Sequence, residues 1–188
     1  MTQEIEYTID GILINDKILI NNIDAVNELT KRGYGIKDKN YYLFIYEALY
    51  LMYINKLDVK EGDKSITFDE LVKIGLTYDE EIWTKFLIYR DLRSRGYVVR
   101  EGFGFGSDFR VYERGEYGNT QAKYVIFGLN EGKRLEVEQL SNTIDQITKM
   151  GKEAVIAVIE RRGEVIYYKL SKPRFEPLKR FELRSDTS

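Results

Sequence analysis

Cysteine and histidine are both absent from this 188-residue chain, and it has only 2 prolines. The first absence excludes a disulfide framework and thiolate chemistry. The second removes the commonest general acid or base at neutral pH and the commonest metal ligand. Zinc sites built on His or Cys are excluded, so any catalysis must rest on Asp, Glu, Lys, Tyr, Ser or Thr. No run of about 18 apolar residues exists, so no membrane span is expected. The opening MTQEIEYTID lacks the basic start and apolar stretch of a secretory signal, and the expectation is an intracellular, cytoplasmic protein. A large excess of either charge is missing too. A net charge of -2 and a pI of about 5.5 argue against a uniform basic surface that grips nucleic acid unaided.

What remains is the composition of an ordinary globular protein, 43% hydrophobic and 32% charged, long enough for one large domain or two small ones. The charge is unevenly spread. From Lys149 to Arg184 ten Lys or Arg face five Glu, which reads either as a solvated basic face or as a stretch that contacts an anionic partner.

Ile12, Ile14, Ile18 and Ile20 around Asn15-Asp16-Lys17 predict two short strands joined by a turn. Asn22 then offers a cap for a short helix that Gly33 closes. Residues Tyr41 to Asn55 are apolar on nearly all sides and predict a buried helix, although such an aromatic row also suits stacking of RNA bases. A hairpin around Glu61-Gly62-Asp63 and a helix capped by Thr67 or Asp69 follow. Asp79-Glu80-Glu81 lead into a helix ended by Gly96, and the domain boundary is placed just before it, giving domains 1–78 and 79–188. The second half predicts strands at YVVREGF, DFRVYER and AKYVIFGL, a helix from about Val137 to Met150, and strands at AVIAVIE and EVIYYKL, with Pro173 and Pro177 interrupting the tail. The fold class is α/β (α+β): two small domains, the second a mixed sheet flanked by helices.

Two motifs carry possible chemistry. The Gly102-Phe103-Gly104-Phe105-Gly106 loop lacks the spacing and following helix of a phosphate loop, and reads as a tight connection between strands. Asp108 with Gln121 and Lys123 forms a degenerate carboxylate, carboxylate, lysine set of the kind that holds Mg²⁺ in metal-dependent nucleases; the alternative has Asp108 capping a turn.

GSDFRVYERG, QAKYVIFGL and KEAVIAVIERRGEVIYYKL, in this order and spacing, resemble the C-terminal nuclease domain of the archaeal tRNA-splicing endonucleases over about residues 82 to 172. KRGYG and EALYLMYINKLDV are similar to that family's N-terminal Gly-Tyr-Gly turn and Glu-Ala-Leu-Tyr-Leu helix. The resemblance implies metal-free cleavage of precursor tRNA, with no cofactor, in which a 2′-OH attacks the adjacent phosphate to leave a 2′,3′-cyclic phosphate and a 5′-hydroxyl. A Tyr, a His and a Lys are assigned there as base, acid and charge stabiliser. Tyr112 matches the tyrosine and Lys152 the lysine, while Gln121 stands where the histidine is expected. The alternative for the first two is a half-buried strand tyrosine and a surface lysine.

A chain so altered resembles the structural paralogue that some members pair with a catalytic endonuclease subunit in a heterotetramer acting on precursor tRNA. By the same resemblance, assembly would use Glu160 to Glu164 as the docking loop, with Tyr167 and Tyr168 on the following strand; Arg161 and Arg162 depart from the acidic pattern expected there. Arg174, Lys179 and Arg180 are the expected RNA contacts. The rival readings are a self-sufficient tRNA-intron endonuclease and the Mg-dependent nuclease using Asp108 and Lys123.

Overall fold

The computed structural model describes residues 5–104, 106–130 and 137–171. Alternation builds its first sheet. Along β1 (Ile9–Ile14) the inward residues are Ile9, Gly11 and Leu13, and along β2 (Lys17–Ile20) they are Ile18 and Ile20, so Ile12 and Ile14 lie on the exposed side. Asn15 makes the turn at φ 55, a left-handed conformation that Asn tolerates. The Asn22 side chain caps α1 (Ile23–Lys31) by accepting from the Ala25 N–H at 3.0 Å.

The predicted helix over Tyr41 to Asn55 is corrected at its start. After β3 (Ile36–Lys37), Tyr41–Phe44 is a strand, β4, and only Ile45–Tyr53 is helical, as α2. Tyr41 and Leu43 are buried and Tyr42 and Phe44 are not, and β4 completes its backbone hydrogen bonding against β2. Then come β5 (Leu57–Glu61), β6 (Lys64–Ile66) and α3 (Phe68–Tyr78), whose start is a reciprocal cap between Thr67 and Glu70. The six strands lie in the order β3-β4-β2-β1-β5-β6, with β1 and β5 parallel.

Glu47 explains why the KRGYG turn and the α2 helix occur together. Its carboxylate is 1% exposed and accepts from the N–H groups of Gly35 and Phe44, each at 3.0 Å. Burial raises its pKa, against the lowering effect of those hydrogen bonds. Gly33, at φ +72, is where this turn meets the second half: a Cβ there would stand 2.5 Å from Val98 and 3.0 Å from Tyr117.

The second half runs α4 (Ile82–Ser94), β7 (Val98–Glu101), β8 (Phe109–Tyr112), β9 (Tyr124–Leu129), α5 (Val137–Lys149), β10 (Glu153–Ile159) and β11 (Val165–Leu170). Its sheet has the order β11-β10-β9-β8-β7, and α5 makes the crossover between the parallel strands β9 and β10. Val125, Phe127 and Ala154 pack with Ile144 and Ile147 of α5. Phe109, Val111 and Ile126 join α4 in a larger core that continues through α2 into the first sheet. At its centre Phe109 meets Tyr46 edge-on at 5.2 Å, and Tyr46 lies 5.1 Å from Tyr89. Each fully buried side chain of this size contributes roughly 1.5–3 kcal/mol.

A polar tie supplements that core. The Arg93 guanidinium of α4 donates to the carbonyls of Arg32 and Gly33, both at 2.9 Å, and lies 4.0 Å above the Tyr34 ring. Among the described residues no helix is long and apolar enough to cross a membrane.

Candidate active site

The strand pleat sorts the DFRVY residues. Phe109 and Val111 point into the α4 core, which leaves Arg110 and Tyr112 on the opposite face. Tyr112 ends β8, is half-buried and meets Tyr117 edge-on at 5.0 Å.

Lys152 reaches this region from the far side of β9. Its backbone N–H closes the end of α5 on the Ile147 carbonyl at 3.1 Å, and β10 begins at the next residue. The side chain is only 8% exposed, which overturns the surface-lysine alternative. Its ammonium donates to the Ala122 carbonyl at 2.7 Å and stands 3.5 Å from Oε1 of Gln121. Burial, and then the charge of Arg110, push the Lys152 pKa down.

Strand register relates the two. The Lys123 N–H bonds the Val111 carbonyl and the Glu153 N–H bonds the Lys123 carbonyl, so Tyr112 and Lys152 flank the row of Lys123. Two strand spacings, roughly 10 Å, separate their backbones. Beside Lys152 opens a shallow pocket of about 290 Å³ whose wall includes Glu113, Glu116, Gln121 and Lys123. Gln121 and Lys152 are thus brought together, with Tyr112 at the neighbouring strand end.

The metal set is not brought together. Asp108 accepts from the Gly128 N–H at 2.6 Å, at one end of β9. Lys123 at the other end pairs with Glu113 at 2.6 Å, and five residues of strand put roughly 16 Å between the two positions. Glu113 also accepts from the Tyr124 hydroxyl at 3.1 Å, and the Lys123 contact lowers its pKa first. Among the described residues no cluster of three or more acidic side chains could hold a metal. The glycine loop joins β7 to β8, as expected, and a Cβ on Gly102 would stand 2.4 Å from the Ser107 carbonyl oxygen.

Glu160 and Glu164 close the hairpin between β10 and β11, the Glu160 N–H donating to the Glu164 carbonyl at 2.9 Å. Tyr167 turns inward and donates to Asp91 of α4 at 2.7 Å, whereas Tyr168 is 53% exposed on the edge strand. Arg174, Lys179 and Arg180 lie outside the described residues, as do Pro173 and Pro177. The sequence reading missed Phe103, Arg110 and Glu113 as neighbours of the site. The alternation in DFRVY carries a signal for Arg110, two residues from Tyr112 on the same face.

Comparison with known proteins bears on this arrangement. The family model for the tRNA intron endonuclease N-terminal domain matches residues 9–72, and that for the catalytic C-terminal domain matches residues 82–167. The chain is 33% identical over 165 residues to a tRNA-splicing endonuclease of Methanococcus vannielii, covering 87% of this chain and 93% of the relative. It is 32% identical over 177 residues to the tRNA-splicing endonuclease of Pyrococcus horikoshii, covering 93% and 100%. Against that of Thermococcus gammatolerans the identity is 34%, over 87% and 97% of the two chains. With two matched domains in the family's order and relatives aligned along nearly their whole length, this chain belongs to the tRNA intron endonuclease family.

Proposed function

We propose that this chain is the structural subunit of a tRNA-splicing endonuclease, positioning precursor tRNA and supporting assembly while a histidine-bearing paralogue cuts. The observation that carries this reading is Gln121 beside Lys152 in a chain without histidine. Cleavage by 2′-OH attack needs a base for that hydroxyl, an acid for the departing 5′-oxygen and a cation for the charge developing on phosphate. Tyr112 and Lys152 occupy the positions of base and cation. A neutral amide cannot deliver the proton at neutral pH. Loss of a general acid removes typically 10²- to 10⁴-fold of rate, so the site retains phosphate-holding groups and loses turnover.

In the proposed assembly two such chains join two catalytic chains. The strand β11 supports this, since among the described residues it lies at the edge of the sheet and Tyr168 offers an exposed aromatic contact. Tyr167 serves the chain's own fold, and the hairpin of Glu160 to Glu164 presents the docking turn. Arg174, Lys179 and Arg180 add phosphate contacts from the tail. We place the division between the two domains at residues 78 and 79, and the protein in the cytoplasm. Cleavage of precursor tRNA that requires a second, histidine-bearing subunit tests the reading.

A further inference from the structure

The face of the second sheet that carries Tyr112 also carries Arg110 and Lys152, which among the described residues have no carboxylate partner, whereas Lys123 beside them pairs with Glu113. Arg110 shares that face by strand alternation, and the register sets Arg100 of β7 directly opposite Arg110. Like charges at such cross-strand positions repel. The guanidinium carbon of Arg110 lies 5.1 Å from the Phe103 ring centroid, and the Lys152 ammonium lies 5.3 Å from the same centroid. Among the described residues none of Arg100, Arg110 and Lys152 forms an ion pair, while Lys64, Lys85, Arg95 and Lys123 each do.

Arg110 has a second unmet need. Its Nε is buried and has no hydrogen-bond partner. Leaving a charged N–H buried and unpaired is costly, and the Phe103 ring face offsets only part of that cost. The depressed pKa of Lys152 has the Arg110 charge as its second cause, after burial, so the two cations are close enough to oppose each other. Two repelling cations that share one aromatic ring, one of them incompletely bonded, are relieved by an anion that contacts both. Neither side chain can accept a hydrogen bond, so an anionic acceptor fits and a base edge that must donate does not.

We infer that Arg110 is a phosphate-binding residue of this site, which together with Lys152 takes one phosphodiester of the RNA backbone between a guanidinium and an ammonium. This rests on the proposed RNA-positioning function and adds to it: a site with glutamine in place of the general acid grips the backbone rather than cutting it. Arg100 extends the same cationic face one strand further.

The test uses the full-length chain and a labelled intron-containing precursor tRNA, with affinity measured across a series of KCl concentrations. Arg110→Met keeps the apolar stem, Arg110→Gln is a second neutral variant should the first fail to fold, and Arg110→Lys keeps the charge. A folded neutral variant is expected to bind about ten-fold more weakly, and its salt slope to fall by about 0.7–0.9, the signature of one lost phosphate contact. Arg110→Lys recovers part of both. Unchanged affinity and slope in a folded neutral variant, with the wild type binding normally, overturns the assignment of Arg110 and leaves the proposed function standing. A wild-type chain with no salt-dependent affinity for precursor tRNA overturns both. Thermal stabilisation by inorganic phosphate that Arg110→Met abolishes, with RNA binding unaltered, places a free anion there and equally overturns the proposal.

Discussion

The Lys152 ammonium stands 3.5 Å from the amide oxygen of Gln121, held there by its shorter bond of 2.7 Å to the Ala122 carbonyl. A cation suited to a phosphate is therefore fixed by backbone, and the group beside it is one that cannot titrate. On the proposed function, the binding half and the proton-transfer half of a cleavage site come apart at this pair.

Replacing Gln121 by His restores a group that can donate a proton at neutral pH. The expected result for Gln121→His is a rise in cleavage by the chain of on the order of 10²-fold, in single-turnover assays with precursor tRNA. An acid must be protonated to act, so this added activity is expected to decline as pH rises through the imidazole pKa. A folded Gln121→His variant with no gain at any pH shows that residue 121 is not the acid's position.

Lys152 makes a prediction about stability rather than rate. Its folded-state pKa is depressed, chiefly by burial. The unfolded chain therefore binds more protons than the folded one between the folded pKa and the ordinary lysine value of about 10.4, and stability rises with pH across that window. Relative to Lys152→Met, the wild type is expected to gain stability as pH is raised from 7 toward 10. Urea midpoints for both proteins at the two pH values measure it; a difference independent of pH contradicts it.

Arg93 joins α4 to the turn at Arg32 and Gly33 with two hydrogen bonds from a charged donor. Such bonds are worth roughly 1.5–3 kcal/mol each, and Arg93→Ala is expected to lower unfolding free energy by about 3 kcal/mol. Arg93→Lys keeps the charge but cannot span both carbonyls, so it recovers less than half. Urea unfolding monitored at the single Trp83 reads both variants.

Much of the local structure is legible in the sequence because its causes are local. The Asn22 and Thr67 caps and the turns at Asn15 and Gly62 each depend on residues within a few positions. Tyr41 to Phe44 misleads because a continuous apolar run fits a helix or a buried strand equally, and pairing with β2 decides between them. The burial of Lys152 is illegible for a different reason: a lysine ordinarily reads as surface, and its acceptor, Ala122, is thirty positions away. Asp108 and Lys123 look close in sequence terms, but β8 runs away from Asp108 before the antiparallel β9 returns toward it, which leaves Lys123 at the far end.

The most direct test of the central claim is cleavage of an intron-containing precursor tRNA in EDTA, by the purified chain alone and together with a histidine-bearing paralogue from the same source. The structural-subunit account predicts 2′,3′-cyclic phosphate and 5′-hydroxyl ends only when the paralogue is present. Equivalent cleavage by the chain alone, abolished in Tyr112→Phe, contradicts it and makes this chain a histidine-free endonuclease in its own right.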